Sequence, residues 1–385
     1  MTRRRGVGSI TSYKTKAGFR WRCQLRVPVD PLIEEAGTRL IGKGGYSTAV
    51  EADEAMTEAK REQREHRAAR NAPPRLGAYA RQWVSGLDLQ ASTLHGYQKI
   101  IRNHIEPQLG RIPLNKLTAT RIAQHYRELL TSGRRNHGHV GGPLSANTVH
   151  KVHVVLGAIL EAAVDDGYVA TNQARRSRIV KAPTTTRIRA EAPEVEVWTA
   201  RQLSAFLVWD RDVYRDDLHT LWSTIARTGM RRGEALALRW SDINLTDGRI
   251  SIRRATDYTA RGVVKPTKTY QARVVDIDPA LIALLRSWKA LRGSIALAFA
   301  KPGAWVFGDL NGELYTPKNV TARWEVRVKA AQRTLQLADL PHLSIKGLRH
   351  THATLLLESG TPAKVVQERL GHSNISTTMN IYSHV

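Results

Sequence analysis

Cysteine is almost absent from this sequence. Of 385 residues only Cys23 carries a thiol, which excludes an intramolecular disulfide framework and a cysteine-rich zinc module. No apolar run approaches the ~18 residues needed to span a bilayer. The basic start, Met1-Thr-Arg-Arg-Arg-Gly-Val-Gly8, lacks the apolar stretch of a secretory signal. No Gly-x-x-x-x-Gly-Lys-Ser/Thr loop is present, so ATP-driven work is not expected. His137 with His139, and His350 with His352, invite a metal, but neither pair has further ligands at workable spacing and neither is a His-Glu-x-x-His. Internal repeats and low-complexity segments are missing too. Acids are scarce: 34 Asp and Glu face 59 Lys and Arg, a formal net charge of +25. That surplus requires a polyanionic partner. Nucleic acid is the leading candidate, and a ribosomal or merely basic protein is the bland alternative.

What is present describes a folded chain of a reducing, soluble compartment. The apolar share of 42% with 24% charged residues excludes wholesale disorder. The length suits two or three domains. Near the N-terminus Phe19, Trp21, Cys23, Leu25 and Val27 alternate with Arg20, Arg22, Gln24 and Arg26. A period of two predicts a strand with one apolar face and one arginine face. Ala17-Gly18 supplies the turn from a short strand around Ile10–Tyr13, and a third strand is expected near Gly44–Ser47. Thr48 and Glu51 form a capping box for a helix to about Glu65, with Ala49, Ala52, Met56 and Ala59 inward. Residues Ala68–Arg75 break the periodicity and predict a linker. Helical patterns follow from Leu76 to Gln173. Leu94, Tyr97, Ile101 and Ile105 share one face, with Lys99, Arg102 and Asn103 opposite. Ile122, Tyr126, Leu129 and Leu130 form a second stripe. Val152, Val155, Leu156, Ile159, Leu160 and Ala163 form a third, which stops near Asp165-Asp166-Gly167. A flexible basic loop, Thr131–Pro143, separates the last two. Arg175–Arg189 holds six Lys/Arg and no acid, which predicts an extended tether along a phosphate backbone. Beyond Glu196 helices mix with short strands, and Arg249–Ala255 and Ala272–Ile277 are expected to pair.

Three separated motifs lie in the last part of the chain. They are Ala226-Arg-Thr-Gly-Met-Arg-Arg-Gly-Glu-Ala-Leu-Ala-Leu-Arg-Trp240, Ile345-Lys-Gly-Leu-Arg-His-Thr-His-Ala-Thr354, and Leu370-Gly-His-Ser-Asn-Ile-Ser-Thr-Thr-Met-Asn-Ile-Tyr-Ser-His384. Together, and in this order, they resemble the three boxes of the tyrosine recombinase (phage integrase) family. One box alone is weak; three in series are specific. The resemblance extends upstream, where the small sheet looks like an arm-type DNA-binding domain and the helical stretch like a core-binding domain. The implied fold is multidomain α+β. Residues 1–66 would be the arm-type domain, a three-stranded sheet plus helix. Residues 76–173 would be an all-α, SAM-like core-binding domain and 174–195 a basic linker. Residues 196–385 would be a mainly α catalytic domain with a small antiparallel sheet.

The chemistry implied is strand cleavage and religation without a metal or other cofactor. Tyr382 would attack the phosphorus, form a 3′-phosphotyrosyl link and free a 5′-hydroxyl. Arg231 and Arg349 match the family's two arginines and would clamp the phosphate oxygens. His372 would hydrogen-bond the scissile phosphate, and Glu234 would orient neighbouring side chains. The general-acid lysine falls in Lys265-Pro-Thr-Lys-Thr-Tyr-Gln-Ala-Arg273, which resembles Lys-Thr-x-x-Ser-x-Arg and favours Lys268 over Lys265. One position departs from the pattern: the residue three before Arg349, commonly histidine, is Lys346. An ammonium donates hydrogen bonds but cannot accept the tyrosine proton unless first deprotonated. Lys346 is therefore expected to contact phosphate as a cation, leaving the base to be His372, water or a Lys346 of depressed pKa. Expected DNA contacts are Arg3, Arg4, Arg5, Arg20, Arg22, Arg26, Lys99, Arg102, Arg175, Arg176, Arg178 and Lys181.

The implied partners are double-stranded attachment-site DNA and three further copies of the chain, as a homotetramer on DNA, with no membrane involved. An accessory DNA-bending protein and an excisionase are candidate partners. The implied setting is the bacterial host cytoplasm, associated with the nucleoid, where a mobile element or viral genome is integrated or excised. Two rivals remain. One is a type IB topoisomerase; the other is an inactive relative that regulates by binding DNA, which would be indifferent to Tyr382→Phe.

Overall fold

In the computed structural model of the chain, the structure describes residues 8–15, 18–28, 38–71, 73–135, 140–257, 262–266, 272–335, 340–372 and 374. The first elements are three strands, β1 (Gly8–Thr15), β2 (Gly18–Pro28) and β3 (Thr38–Tyr46), in an antiparallel sheet of order β1-β2-β3. Alternation shapes β2: Cys23 and Leu25 are buried, while Arg22 is exposed and Gln24 half-buried. The helix α1 (Ala49–Asn71) packs on this sheet, with Ala52 and Met56 buried. Its first turn is closed by Glu51 N–H donating to Thr48 Oγ1 at 3.2 Å and Ser47 N–H donating to Glu51 Oε2 at 2.9 Å.

Three expectations for this region need correction. Phe19 is 68% exposed rather than part of the buried stripe, because it pairs with Lys14 at the turn end of the hairpin. The third strand begins at Thr38, not Gly44; Gly42, Gly44 and Gly45 obscure its alternation. The first helix runs on to Asn71, into the expected linker. Ala68, Ala69 and Arg70 are strong helix formers, and the first true breakers are Pro73 and Pro74.

Next come α2 (Leu76–Ser85), α3 (Ala91–Ile100), a π-helical turn at Ile101–Ile105, α4 (Glu106–Leu109), α5 (Ala119–Ser132) and α6 (Ala146–Asp165). All six apolar residues of the α6 stripe are buried, as are Ile101 and Ile105, while Leu94 and Tyr97 are half-buried. The chain forms two compact units. Residues 1–83, 103–128 and 152–181 make one, and residues 84–102, 129–151 and 182–385 make the other. In the first, Tyr126 OH lies 3.0 Å from His153 Nδ1 and Tyr79 OH donates to Asp166 Oδ2 at 2.6 Å. His125, unnoticed in the sequence, is fully buried there, and burial with the Arg121 charge lowers its pKa to about 4.

The basic stretch after α6 is not a free tether. Ala174, Val180 and Pro183 are buried, and α7 (Thr185–Ala190) follows. Thr184, expected in extended chain, caps α7 by accepting from Arg187 N–H at 3.3 Å.

The remaining elements are α8 (Ala200–Trp209), α9 (His219–Thr228), α10 (Arg232–Leu236), β4 (Ile243–Asn244), β5 (Arg249–Ile252), β6 (Arg254–Thr256), β7 (Val264–Pro266), β8 (Arg273–Asp276), α11 (Pro279–Ile295), α12 (Pro317–Thr334), α13 (Ile345–Glu358) and α14 (Ala363–Leu370). The expected pairing holds for β5 with β8, with Ile250 and Ile252 fully buried. Arg254–Thr256 instead leaves that sheet and pairs with β7.

An aromatic cluster not anticipated from the sequence anchors this part. Trp198, Phe206, Trp222 and Trp324 have ring centroids 4.8 to 5.9 Å apart. Their buried indole donors are satisfied: Trp198 by Pro341 O, Trp222 by Asp216 Oδ2 and Trp324 by Leu343 O, at 2.7 to 2.9 Å. The cluster fixes α9 and the entry to α13, the two helices that deliver the arginine motifs. Among the described residues no helix is long and apolar enough to cross a membrane.

Candidate active site

The helix α9 ends at Gly229, whose φ is +65°. A Cβ there would lie 2.6 Å from His352 Cδ2 and 2.7 Å from Leu370 Cδ2, so only glycine lets the chain turn. Met230 is buried, and Arg231 caps α10. The Arg231 side chain is 46% exposed; its Nη1 donates to Glu234 Oε1 at 2.8 Å and its Nη2 to Gly371 O at 3.4 Å. The Arg231 backbone N–H donates to Glu234 Oε2 at 2.9 Å.

Arg349 projects from α13 and is 5% exposed. Its Nη1 donates to Gly229 O and its Nη2 to Leu370 O, both at 2.7 Å. It therefore ties the carbonyl two residues before Arg231 to the carbonyl two residues before His372. Gly371 ends α14 with φ +67°. His372 follows, half-buried, its N–H donating to Gln367 O at 3.1 Å. Burial, then the Arg349 and Arg231 charges, push the His372 imidazole down to about 4. A neutral imidazole can both donate and accept at neutral pH.

Glu234 is 2% exposed. Burial would raise its carboxyl, but hydrogen bonds and charge from Arg273, then the Arg231 charge, outweigh it and hold the pKa at about 2. Three guanidinium groups, of Arg231, Arg273 and Arg349, thus gather around this one carboxylate and the turn before His372. The excess of positive charge over that single carboxylate, with Arg231 half-exposed, suits a phosphodiester anion.

The structure brings Arg231, Glu234, Arg349 and His372 together. Lys346 stands exposed in the first turn of α13, and its charge helps lower the pKa of the buried His350 to about 4, after burial itself. Lys268 and Tyr382 lie outside the described residues. Lys265, the less favoured lysine, is on β7 with its Nζ 3.2 Å from Asp257 Oδ2 and 3.4 Å from Ser92 Oγ.

Two further roles were not anticipated. Arg273 grips Glu234 with both Nη atoms; its signal was the terminal arginine of the Lys-Thr-x-x-Ser-x-Arg pattern. His352 Nδ1 donates to Ala226 O at 2.9 Å, and its Nε2 accepts from Arg369 Nε at 3.0 Å. That pair requires a neutral ring. Burial, then the Arg369 charge, lowers its pKa to about 3. The folded value lies below the unfolded ~6.5, so the unfolded state binds the extra proton between pH ~6.5 and 3. Stability is full above that window and is lost as pH falls through it, on the order of 2 kcal/mol at pH 5 from this ring. His352→Gln keeps a donor and an acceptor without a titrating group. Its urea midpoint should fall less than the wild-type midpoint between pH 7.5 and 5. Equal falls would show that His352 does not carry this dependence.

Of the expected DNA contacts, Arg3, Arg4 and Arg5 lie outside the described residues, as does the side chain of Arg26. Arg20 Nη1 donates to Ser47 Oγ at 2.7 Å, and Arg22 Nε donates to Thr11 Oγ1 at 3.0 Å. Lys99, Arg102, Arg175, Arg176, Arg178 and Lys181 are all exposed. Arg175 also pairs with Glu161 at 3.2 Å. Among the described residues, no group of three or more potential metal ligands occurs.

Residues 201–385 match the phage integrase family, and residues 77–130 match the phage integrase N-terminal SAM-like domain. A tyrosine recombinase XerC of Mycobacterium sp. (strain KMS) is 30% identical over 240 residues, covering 60% of this chain and 77% of the relative. The Tn1549 transposon integrase, solved in complex with a circular intermediate DNA, has a TM-score of 0.66 at 19% identity, covering 81% of this chain and 96% of that one. A lambda integrase tetramer bound to a Holliday junction has a TM-score of 0.57 at 18% identity, covering 95% and 96%. At these identities the solved structures speak to the fold.

Proposed function

This chain belongs to the tyrosine recombinase (phage integrase) family, and from that premise we propose that it integrates or excises a mobile element through a 3′-phosphotyrosyl intermediate at attachment sites in double-stranded DNA. The observation that carries the reading is the convergence of Arg231 and Arg349, held by the carbonyls of Gly229, Leu370 and Gly371, with His372, whose N–H is held by Gln367 O. In the cleavage step the Tyr382 oxygen bonds to phosphorus and the bond to the 5′-oxygen breaks. His372, neutral at pH 7, takes the phenol proton, and Lys268 gives one to the departing 5′-oxygen. Arg231 and Arg349 stabilise the charge that builds on the non-bridging oxygens. Religation reverses these transfers, so the phosphodiester energy is retained.

Residues 1–66 serve as an arm-type domain, 76–173 as the core-binding domain, 174–195 as the basic connection and 196–385 as the catalytic domain. Exchange of two duplexes breaks four strands, one tyrosine each, which calls for four copies on DNA. The chain would act in the bacterial cytoplasm, on DNA of the nucleoid, with a DNA-bending protein and an excisionase as auxiliaries.

Nicked duplexes tiled across the sequence flanking the gene test the reading. A cut just upstream of the nick releases a short fragment and traps the covalent complex. A shifted band on a denaturing gel is the expected result. Salt-sensitive binding to the same duplexes without any covalent band would favour a non-catalytic DNA-binding role. In this assay Lys346→Ala should lose more activity than Lys346→His, because imidazole can still donate to phosphate. A larger loss in the histidine variant would refute the cationic role of Lys346.

A further inference from the structure

The Arg273–Glu234 pair lies behind the proposed phosphate clamp, and its geometry suggests more than support. Arg273 opens β8 directly after the segment that carries Lys268. The strand itself is fixed by pairing with β5 and by the buried Val275. The guanidinium uses three donors in one plane. Nη1 donates to Glu234 Oε1 at 3.1 Å, Nη2 to Glu234 Oε2 at 2.7 Å and Nε to Arg369 O at 2.9 Å. It also passes beneath the turn before His372: a Cβ on Gly371 would lie 3.0 Å from Arg273 Cδ and 3.1 Å from its Nη1. A single planar group thus touches the residue that holds Arg231 and the turn that carries His372.

We propose that Arg273 is a positioning residue of strand cleavage, which neutralises Glu234 so that the charge of Arg231 stays available to the scissile phosphate. The proposal rests on the recombinase reading above. Glu234 is buried and can accept from both arginines. With Arg273 spanning both oxygens, Arg231 commits only Nη1 and its backbone N–H to that carboxylate, and its side chain remains half-exposed. Without Arg273 the buried carboxylate has Arg231 as its remaining guanidinium partner. The clamp is then drawn inward and its charge is cancelled by Glu234 rather than by substrate. Lysine is a poor substitute, because a single ammonium cannot align with a carboxylate edge and the Arg369 carbonyl together.

The test uses the full chain on a trapped, nicked core site, with the rate of covalent capture read at saturating protein alongside DNA affinity and the thermal midpoint. Arg273→Gln is expected to slow capture roughly 10²-fold, with affinity within about threefold of wild type, and to lower the midpoint because Glu234 loses a buried partner. Adding Glu234→Gln removes the carboxylate that sequesters Arg231, so the double variant should be about tenfold faster than Arg273→Gln alone. A purely architectural role would instead lower affinity together with rate and would not yield that recovery. Capture by Arg273→Gln within about threefold of wild type, or a double variant no faster than the single, overturns the proposal. Should Arg273→Gln fail to fold, Arg273→Lys takes its place, with about a tenfold loss of rate at unchanged affinity expected and a wild-type rate overturning the idea. Wild type run in parallel separates the two readings. No wild-type adduct refutes the recombinase reading and this proposal with it, whereas a wild-type adduct with an unaffected Arg273→Gln refutes the proposal alone.

Discussion

Replacing Arg349 by alanine is expected to slow covalent capture by roughly 10²–10³-fold and to lower stability as well, whereas Arg231→Ala should match the first loss without the second. The difference follows from burial. Arg349 is 5% exposed and satisfies the carbonyls of Gly229 and Leu370, while the Arg231 side chain is 46% exposed. Deleting the Arg349 fork leaves two buried acceptors unpaired, at about 1–3 kcal/mol each. It also releases the turns that carry Arg231 and His372 from each other. Arg349→Lys restores one positive charge but can serve only one carbonyl at a time, so it should recover stability better than rate. Urea unfolding read beside capture kinetics checks this. Equal stability losses for the two alanine variants would contradict the assignment of Arg349 as both clamp and tie.

Tyr382→Phe should abolish covalent capture altogether while leaving DNA affinity and its salt dependence intact. Free tyrosine has a pKa of ~10, so about one phenol in a thousand is ionised at pH 7, a handicap of ~4 kcal/mol that the cationic site must offset. Phenylalanine removes the oxygen itself, and no positioning of arginines can compensate. Counterion release depends on the arginine and lysine side chains, which the substitution does not touch. A shifted band that persisted in the phenylalanine variant would mean that another group attacks phosphorus.

The residues proposed for the phosphate site were more legible in the sequence than those that hold them. Arg231, Glu234, Arg349 and His372 sit in three short boxes whose spacing reflects local chain geometry. The glycine turn at Gly229 brings in Arg231, and the end of α14 at Gly371 brings in His372. The roles of Arg273 and His352 were missed because their partners are remote. Arg273 meets Glu234 across 39 positions and His352 meets Ala226 across 126. No periodicity within one element reports such contacts. The α6 stripe was readable because a helix buried along one side repeats its apolar residues. The start of β3 was not, since three glycines erase the alternation. The basic stretch after α6 misled for a different reason: charge counts report the exposed side chains, whereas Ala174, Val180 and Pro183 fix the backbone.

The most direct measurement is to locate the covalent link. Wild-type chain trapped on its nicked core site would be digested with trypsin and the DNA-bearing peptide sequenced by mass spectrometry. The sequence after Arg369 contains a single tyrosine, Tyr382, so the assignment is unambiguous. The expected product is the tryptic peptide beginning at Leu370, joined through Tyr382 to a 3′-phosphate. An adduct on any other residue, or tight and specific binding with no adduct at all, would contradict phosphotyrosine recombination by this chain.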